Sequence, residues 1–133
     1  MQNGNRIERH DKMQNDKLTN DLSDRFLNFA ADVMKLVSQL SRSYAGRHVA
    51  GQLFRSATSA GANYEESCGA ESRADFVHKL QLVLKELKES RFWLLLIKKS
   101  DLFKTHNIDD LIREVGELLK IIAKSVVTAK KSK

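Results

Sequence analysis

The sequence predicts an all-α fold, an antiparallel up-down-up-down four-helix bundle, on three observations. Proline is absent and glycine occurs only six times in 133 residues, so helices can run long without a built-in breaker. Aromatic residues are 7% of the chain and β-branched runs are few, which argues against a sandwich or a barrel. Apolar residues recur at helical spacing in four separate stretches. The hydrophobic content of 41% is too high for a disordered chain, and the length suits one domain.

The first helix is expected to open near Asn20 or Asp21. Its seam is Leu22, Phe26, Phe29, Val33, Leu36 and Leu40, in alternating steps of four and three that keep one face apolar. Gly46 is the expected C′ stop, because glycine enters the left-handed region without a Cβ clash. A second helix is expected over 47–70, ending at Gly69, with Ala50, Leu53, Ala57, Ala60, Tyr64 and Cys68 on one face. The third opens at Ser72. Asp75 stands three positions on, a spacing that lets the cap satisfy orphan N–H groups. Its seam is Phe76, Leu80, Val83, Leu87, Leu94 and Ile97. The fourth opens at Asn107, with Asp109 and Asp110 against the positive helix end. Its seam is Ile108, Leu111, Val115, Leu118, Ile122 and Val126.

Residues 1–18 read as a flexible arm, 19–128 as the bundle and 129–133 as a basic tail. A three-helix core with one helix docked on a partner is the less favoured alternative, because each of the four helices carries its own stripe. The longest apolar run, Phe92 to Ile97, is far short of the ~20 residues that span a bilayer. No secretory signal is visible at the start. Cys68 stands alone, which fits a reducing cytoplasm. We therefore expect a cytoplasmic protein with no membrane association.

Two stretches suggest more than a lone subunit. Leu82, Phe92, Trp93 and Leu96 fall off the seam of the third helix. Leaving such side chains in water forgoes about 1.5–3 kcal/mol each, so a second apolar surface for self-association competes evenly with a wide core that wraps them. The second helix carries a run of small residues from Ser56 to Asn63 around Gly61, useful where backbones approach closely. Arg55 and Glu66 need partners on other helices, and Glu86 and Glu89 are candidates for Arg55. Together with Asn63 they form a candidate polar network that would set helix register. Each charge taken singly is more often simply solvated.

Catalytic and metal-binding patterns are not found. His10, His48, His78 and His106 lack a second ligand at zinc spacing. No phosphate-binding glycine loop and no Glu-x-x-His pair occurs. Glu86 with Glu89 could serve acid–base work, but a salt-linked helix face is far commoner. Cys68 on the seam reads as a small core residue. No catalytic residue, metal or cofactor is expected, and the chain is expected not to be an enzyme.

The block RSATSAGANYEES over 55–67, then ADFVHKL over 74–80 and LKELKESRFWL over 84–94, resembles the bacterial 23S rRNA-intervening-sequence proteins over roughly residues 20–127. Phe92 stands where the usual pattern has tyrosine, which removes a hydroxyl and little else. The resemblance implies an antiparallel four-helix bundle, a ring-forming homo-oligomer, typically a pentamer, and no established catalytic activity. A distant relative is the accessory protein of diversity-generating retroelements, a basic pentamer that binds a reverse transcriptase and nucleic acid; transfer of that role is analogy.

The formal net charge is +6 and the sequence pI about 9.6. Residues 120–133 contain five lysines and no acid. Candidate nucleic-acid contacts are Lys85, Lys88, Arg91, Lys98, Lys99, Lys120, Lys124, Lys130 and Lys131, which would neutralise RNA or DNA phosphates and release counterions. No stacking aromatic motif accompanies them, so backbone binding without sequence reading is expected. Lysine-rich faces are also common as merely solubilising surfaces. The alternative expectation is a protein-interaction scaffold or accessory subunit, for example for a reverse transcriptase.

Overall fold

The structure, a computed structural model, describes residues 21–40, 42–101 and 107–131. These residues form four helices: α1 over 21–37, α2 Tyr44–Cys68, α3 Arg73–Ser100 and α4 Ile108–Lys131. The described residues contain no strand. The expected arm at 1–18 and the last two residues lie outside them. Ala129, Lys130 and Lys131 continue α4, so most of the expected basic tail is helix.

Local chemistry explains the ends of α2 and α3. Ser72 caps α3, its Oγ accepting from the Asp75 N–H at 3.0 Å. Asp101 closes that helix in the left-handed conformation, φ 52°, a region that aspartate enters more readily than most residues. Gly69 caps α2, its N–H bonding the Glu66 carbonyl at 3.1 Å.

Gly46 overturns an expectation. It does not stop α1, which ends at Val37 and runs into a turn. Ser43 caps α2 instead, and Gly46 lies in the first turn of α2, its N–H donating to the Ser43 Oγ at 3.0 Å. A Cβ at Gly46 would lie 1.8 Å from the Leu40 carbonyl oxygen. Glycine is needed there for the close approach of two chain segments, not for a left-handed stop.

The core lies where the four seams meet. Phe26, Phe29, Val33, Leu36 and Leu40 come from α1 and its turn; Leu53, Ala57, Ala60 and Tyr64 from α2; Leu80, Val83, Leu87, Leu94 and Ile97 from α3; Leu111, Val115, Leu118, Ile122 and Val126 from α4. Phe26 stacks on Tyr64 with ring centroids 4.8 Å apart. Each fully buried large side chain contributes about 1.5–3 kcal/mol. Cys68 departs from this pattern: it is exposed, and its neighbour Ser67 is buried in its place, with its Oγ bonding the Tyr64 carbonyl at 2.6 Å.

Small polar residues hold α2 close to α3. Ser56 and Ser90 are fully buried and hydrogen-bond each other at 2.8 Å. Each hydroxyl also lies within reach of a carbonyl of its own helix, Leu53 at 3.1 Å and Glu86 at 2.9 Å; the two hydroxyl protons serve two of these three contacts, so each hydroxyl keeps a partner in the core. α2 packs on α3 and α3 on α4. α1 touches α2 through Phe26 and α4 through Arg25, whose Nε lies 3.2 Å from Glu114. The helices therefore follow one another around the bundle in chain order. No helix among the described residues is long and apolar enough to cross a membrane.

Candidate functional site

The polar residues singled out in the sequence sit mainly on the α2–α3 face. Arg55 meets both Glu86, at 3.1 Å, and Glu89. Its hydrogen bond to Glu89 holds the guanidinium above its ordinary pKa. The Arg55 side chain remains about half exposed, 48%, so this is a surface link with modest energetic weight and not a buried network. Glu66 takes Lys79 at 2.8 Å, one helix turn from the α2–α3 connection. Asn63 does not join them: its Nδ2 donates to the Ser59 carbonyl within α2 at 2.9 Å.

The off-seam apolar residues separate into two groups. Phe92 is 57% exposed and Leu96 39%, and Leu95, between them and not singled out by spacing, is 38% exposed. Phe92 and Leu95, with Leu84 of α3 and Leu119 and Ala123 of α4, line a furrow of about 590 Å³ between α3 and α4. Lys88, Arg91 and Lys120 complete its lining. Leu82 is half-buried. Trp93 corrects the expectation that it projects outward: it is partly buried against the core, edge-on to His48 and Phe92 at 5.8 and 5.0 Å. Its Nε1 is buried with no hydrogen-bond partner among the described residues.

A second apolar surface was missed altogether. Leu27 is 68% exposed and Met34 55%. Both belong to α1, seven positions apart, and so lie on one side of that helix. Leu27 and Ala30 line a furrow of about 420 Å³ between α1 and α2 with Thr58, Gly61, Ala62, Ser23 and two acids, Asp24 and Glu65. The signal was available in the sequence as an apolar pair repeating at heptad distance off the seam. The small-residue run of α2 thus serves two ends. Ser56, Ala57 and Ala60 are buried, while Gly61 and Ala62 floor the outer furrow.

The basic candidates are strung along α3 and α4, and three of them, Lys88, Arg91 and Lys120, meet at the α3–α4 furrow. Lys98 is held by Asp109 at 2.6 Å, where α3 ends and α4 begins. That bond holds the Asp109 carboxyl below its ordinary pKa. Lys120 lies 3.7 Å from Glu117. Lys88 and Arg91 flank the α3–α4 furrow, while Lys85, Lys99, Lys124, Lys130 and Lys131 are exposed. Lys130 and Lys131 occupy the last turn of α4, where cations complement the negative helix end.

The catalytic candidates do not converge. Glu86 and Glu89 are engaged by Arg55, and Cys68 ends α2 on the surface. Neither furrow is lined by any of the three. Among the described residues, no three His, Cys, Asp or Glu side chains come together as a metal site.

Comparison with known proteins places this geometry. No curated protein matches the chain. A solved structure of a protein with unknown function from the S23 ribosomal protein family of Bacteroides thetaiotaomicron superposes with a TM-score of 0.74 at 30% sequence identity, covering 81% of this chain and 96% of that one. The profile of the 23S rRNA-intervening sequence protein family matches residues 19–124, which takes in all of α2 and α3 and most of α4. The chain belongs to the 23S rRNA-intervening sequence protein family.

Proposed function

We propose that the chain is a non-enzymatic, homo-oligomeric bundle, a ring of about five copies as the family resemblance implies, that holds the RNA or DNA backbone on its basic surface. The observation that supports self-association is the uncovered apolar group Phe92, Leu95 and Leu96 on α3. Contiguous side chains of that size in water mark an interface more often than an accident of a monomer surface. The excess of positive charge, +6 per chain, supports attraction of polyanions. Five copies would carry about +30, a field that raises the local concentration of nucleic acid. The cations are strung out and no stacking aromatics accompany them, which favours contacts to phosphates over contacts to bases. A cytoplasmic location accords with the single unpaired cysteine.

Sedimentation of the purified chain at micromolar concentration, with RNA titrations at two salt concentrations, tests the proposal. An assembly larger than one copy that binds RNA at low salt and releases it at high salt is expected. A folded monomer, or RNA affinity indifferent to salt, overturns it. The second reading, an accessory subunit for an enzyme such as a reverse transcriptase, is favoured by the α3–α4 furrow, whose apolar floor and basic rim suit an acidic amphipathic helix. It predicts a stoichiometric protein partner in pull-downs that Leu95→Asp abolishes.

A further inference from the structure

We infer that the chain joins copies of itself head to tail, the α3–α4 face of one copy seating in the α1–α2 furrow of the next. The inference rests on the proposed self-association and specifies the two surfaces that meet. Because the helices follow chain order around the bundle, the α1–α2 and α3–α4 furrows face opposite sides of the subunit. Both sides are apolar and uncovered. One presents bulk, Phe92 and Leu95; the other presents a floor of small residues, Gly61 and Ala62, beside Leu27. A large side chain entering a small-residue floor is the shape match that a heterologous contact requires.

Charge points the same way. The charged members of the α1–α2 furrow are acidic, Asp24 and Glu65, and those of the α3–α4 furrow are basic, Lys88, Arg91 and Lys120. Asp24, Glu65, Lys88 and Arg91 make no ion pair among the described residues. Two α3–α4 faces brought together would oppose cation to cation, and two α1–α2 faces acid to acid, whereas unlike faces pair the signs. The charge pattern therefore selects against a two-fold dimer of like faces and for a head-to-tail contact between unlike ones. Seating uses Lys88, Arg91 and Lys120, and leaves Lys85, Lys99, Lys124, Lys130 and Lys131 for phosphates.

The test uses full-length chains in a Cys68→Ser background, one carrying Ala62→Cys and the other Leu95→Cys, treated with a short bis-maleimide. All these positions except Leu95 are small surface changes, and circular dichroism verifies that each variant is helical. A covalent dimer from the mixture, with little from either variant alone, is expected. Cross-linking within a single variant shows an isologous contact and overturns the inference. An assembly of wild-type mass that yields no cross-link overturns these faces while leaving self-association standing, and a monomeric wild type overturns both. Charge reversal gives a second readout: Glu65→Lys and Arg91→Glu are each expected to weaken association about tenfold, and to recover most of it when combined. Single reversals that leave the dissociation constant unchanged overturn the charge pairing.

Discussion

Helical glycines differ in what surrounds them, and the difference is measurable. A Cβ at Gly46 would lie 1.8 Å from the Leu40 carbonyl oxygen, while at Gly51 and Gly116 it would meet nothing within 4 Å. Gly46→Ala is expected to cost about 1–3 kcal/mol, because the backbone around the turn must give way. Gly51→Ala and Gly116→Ala are each expected to add up to about 1 kcal/mol by removing the entropic cost of a mid-helix glycine. Urea unfolding of the three variants checks both signs. Trp93 is a second discriminating residue. Its ring packs against the core but its indole N–H is buried without a partner. Trp93→Ala is expected to lose about 3 kcal/mol of subunit stability. Trp93→Phe should lose less than about 1.5 kcal/mol, since the unmet donor goes with the lost area. Equal losses would show that the N–H finds a partner in solution.

The helices themselves were legible in the sequence because a 3.6-residue period marks them independently of context. Every seam position of α4 from Leu111 to Val126 is buried as spacing requires. Ends were harder to place. Glycine serves both as a left-handed stop and as a point of close approach, and spacing alone does not separate the two uses at Gly46. Near the end of α2, a step of one residue rotates the face by about 100°, which exchanges Cys68 for Ser67 in the core. Long-range partners divide in the same way. Arg55 was a charge in search of acids and found Glu86 and Glu89 one helix away. Arg25 and Glu114 lie 89 positions apart, with no local pattern to join them. The junction of α3 and α4 carries a pH signature. Lys98 holds the Asp109 carboxyl below its ordinary pKa, so the stabilisation is present above the unfolded carboxylate value, about pH 4, and is lost as pH falls through the lower folded value. Asp109→Asn should unfold more easily than wild type at neutral pH and converge with it in strong acid, by thermal melts across a pH series. A constant difference at every pH would mean that the ion pair does not form in solution.

At the scale of the whole molecule, the chain divides its apolar surface and its charge between opposite sides. A monomer gains nothing from that division, but an assembly that seats one side in the other covers both apolar surfaces and cancels the rim charges. The cations left over then dominate the outside of the assembly. Lys130 and Lys131 project from the last turn of α4, exposed, with Lys124 a turn and a half earlier. Because they lie off the proposed contact, replacing them should separate nucleic-acid binding from assembly. Lys124→Gln with Lys130→Gln and Lys131→Gln is expected to leave the sedimentation coefficient unchanged. If each lysine meets one phosphate of a single strand, the slope of log affinity against log salt should fall in magnitude by about 0.7 per lysine. The loss should be the same for unrelated RNA sequences, since phosphates carry no sequence information. An unchanged slope would place the phosphate contacts elsewhere on the surface, and a loss confined to one RNA sequence would mean that bases are read after all.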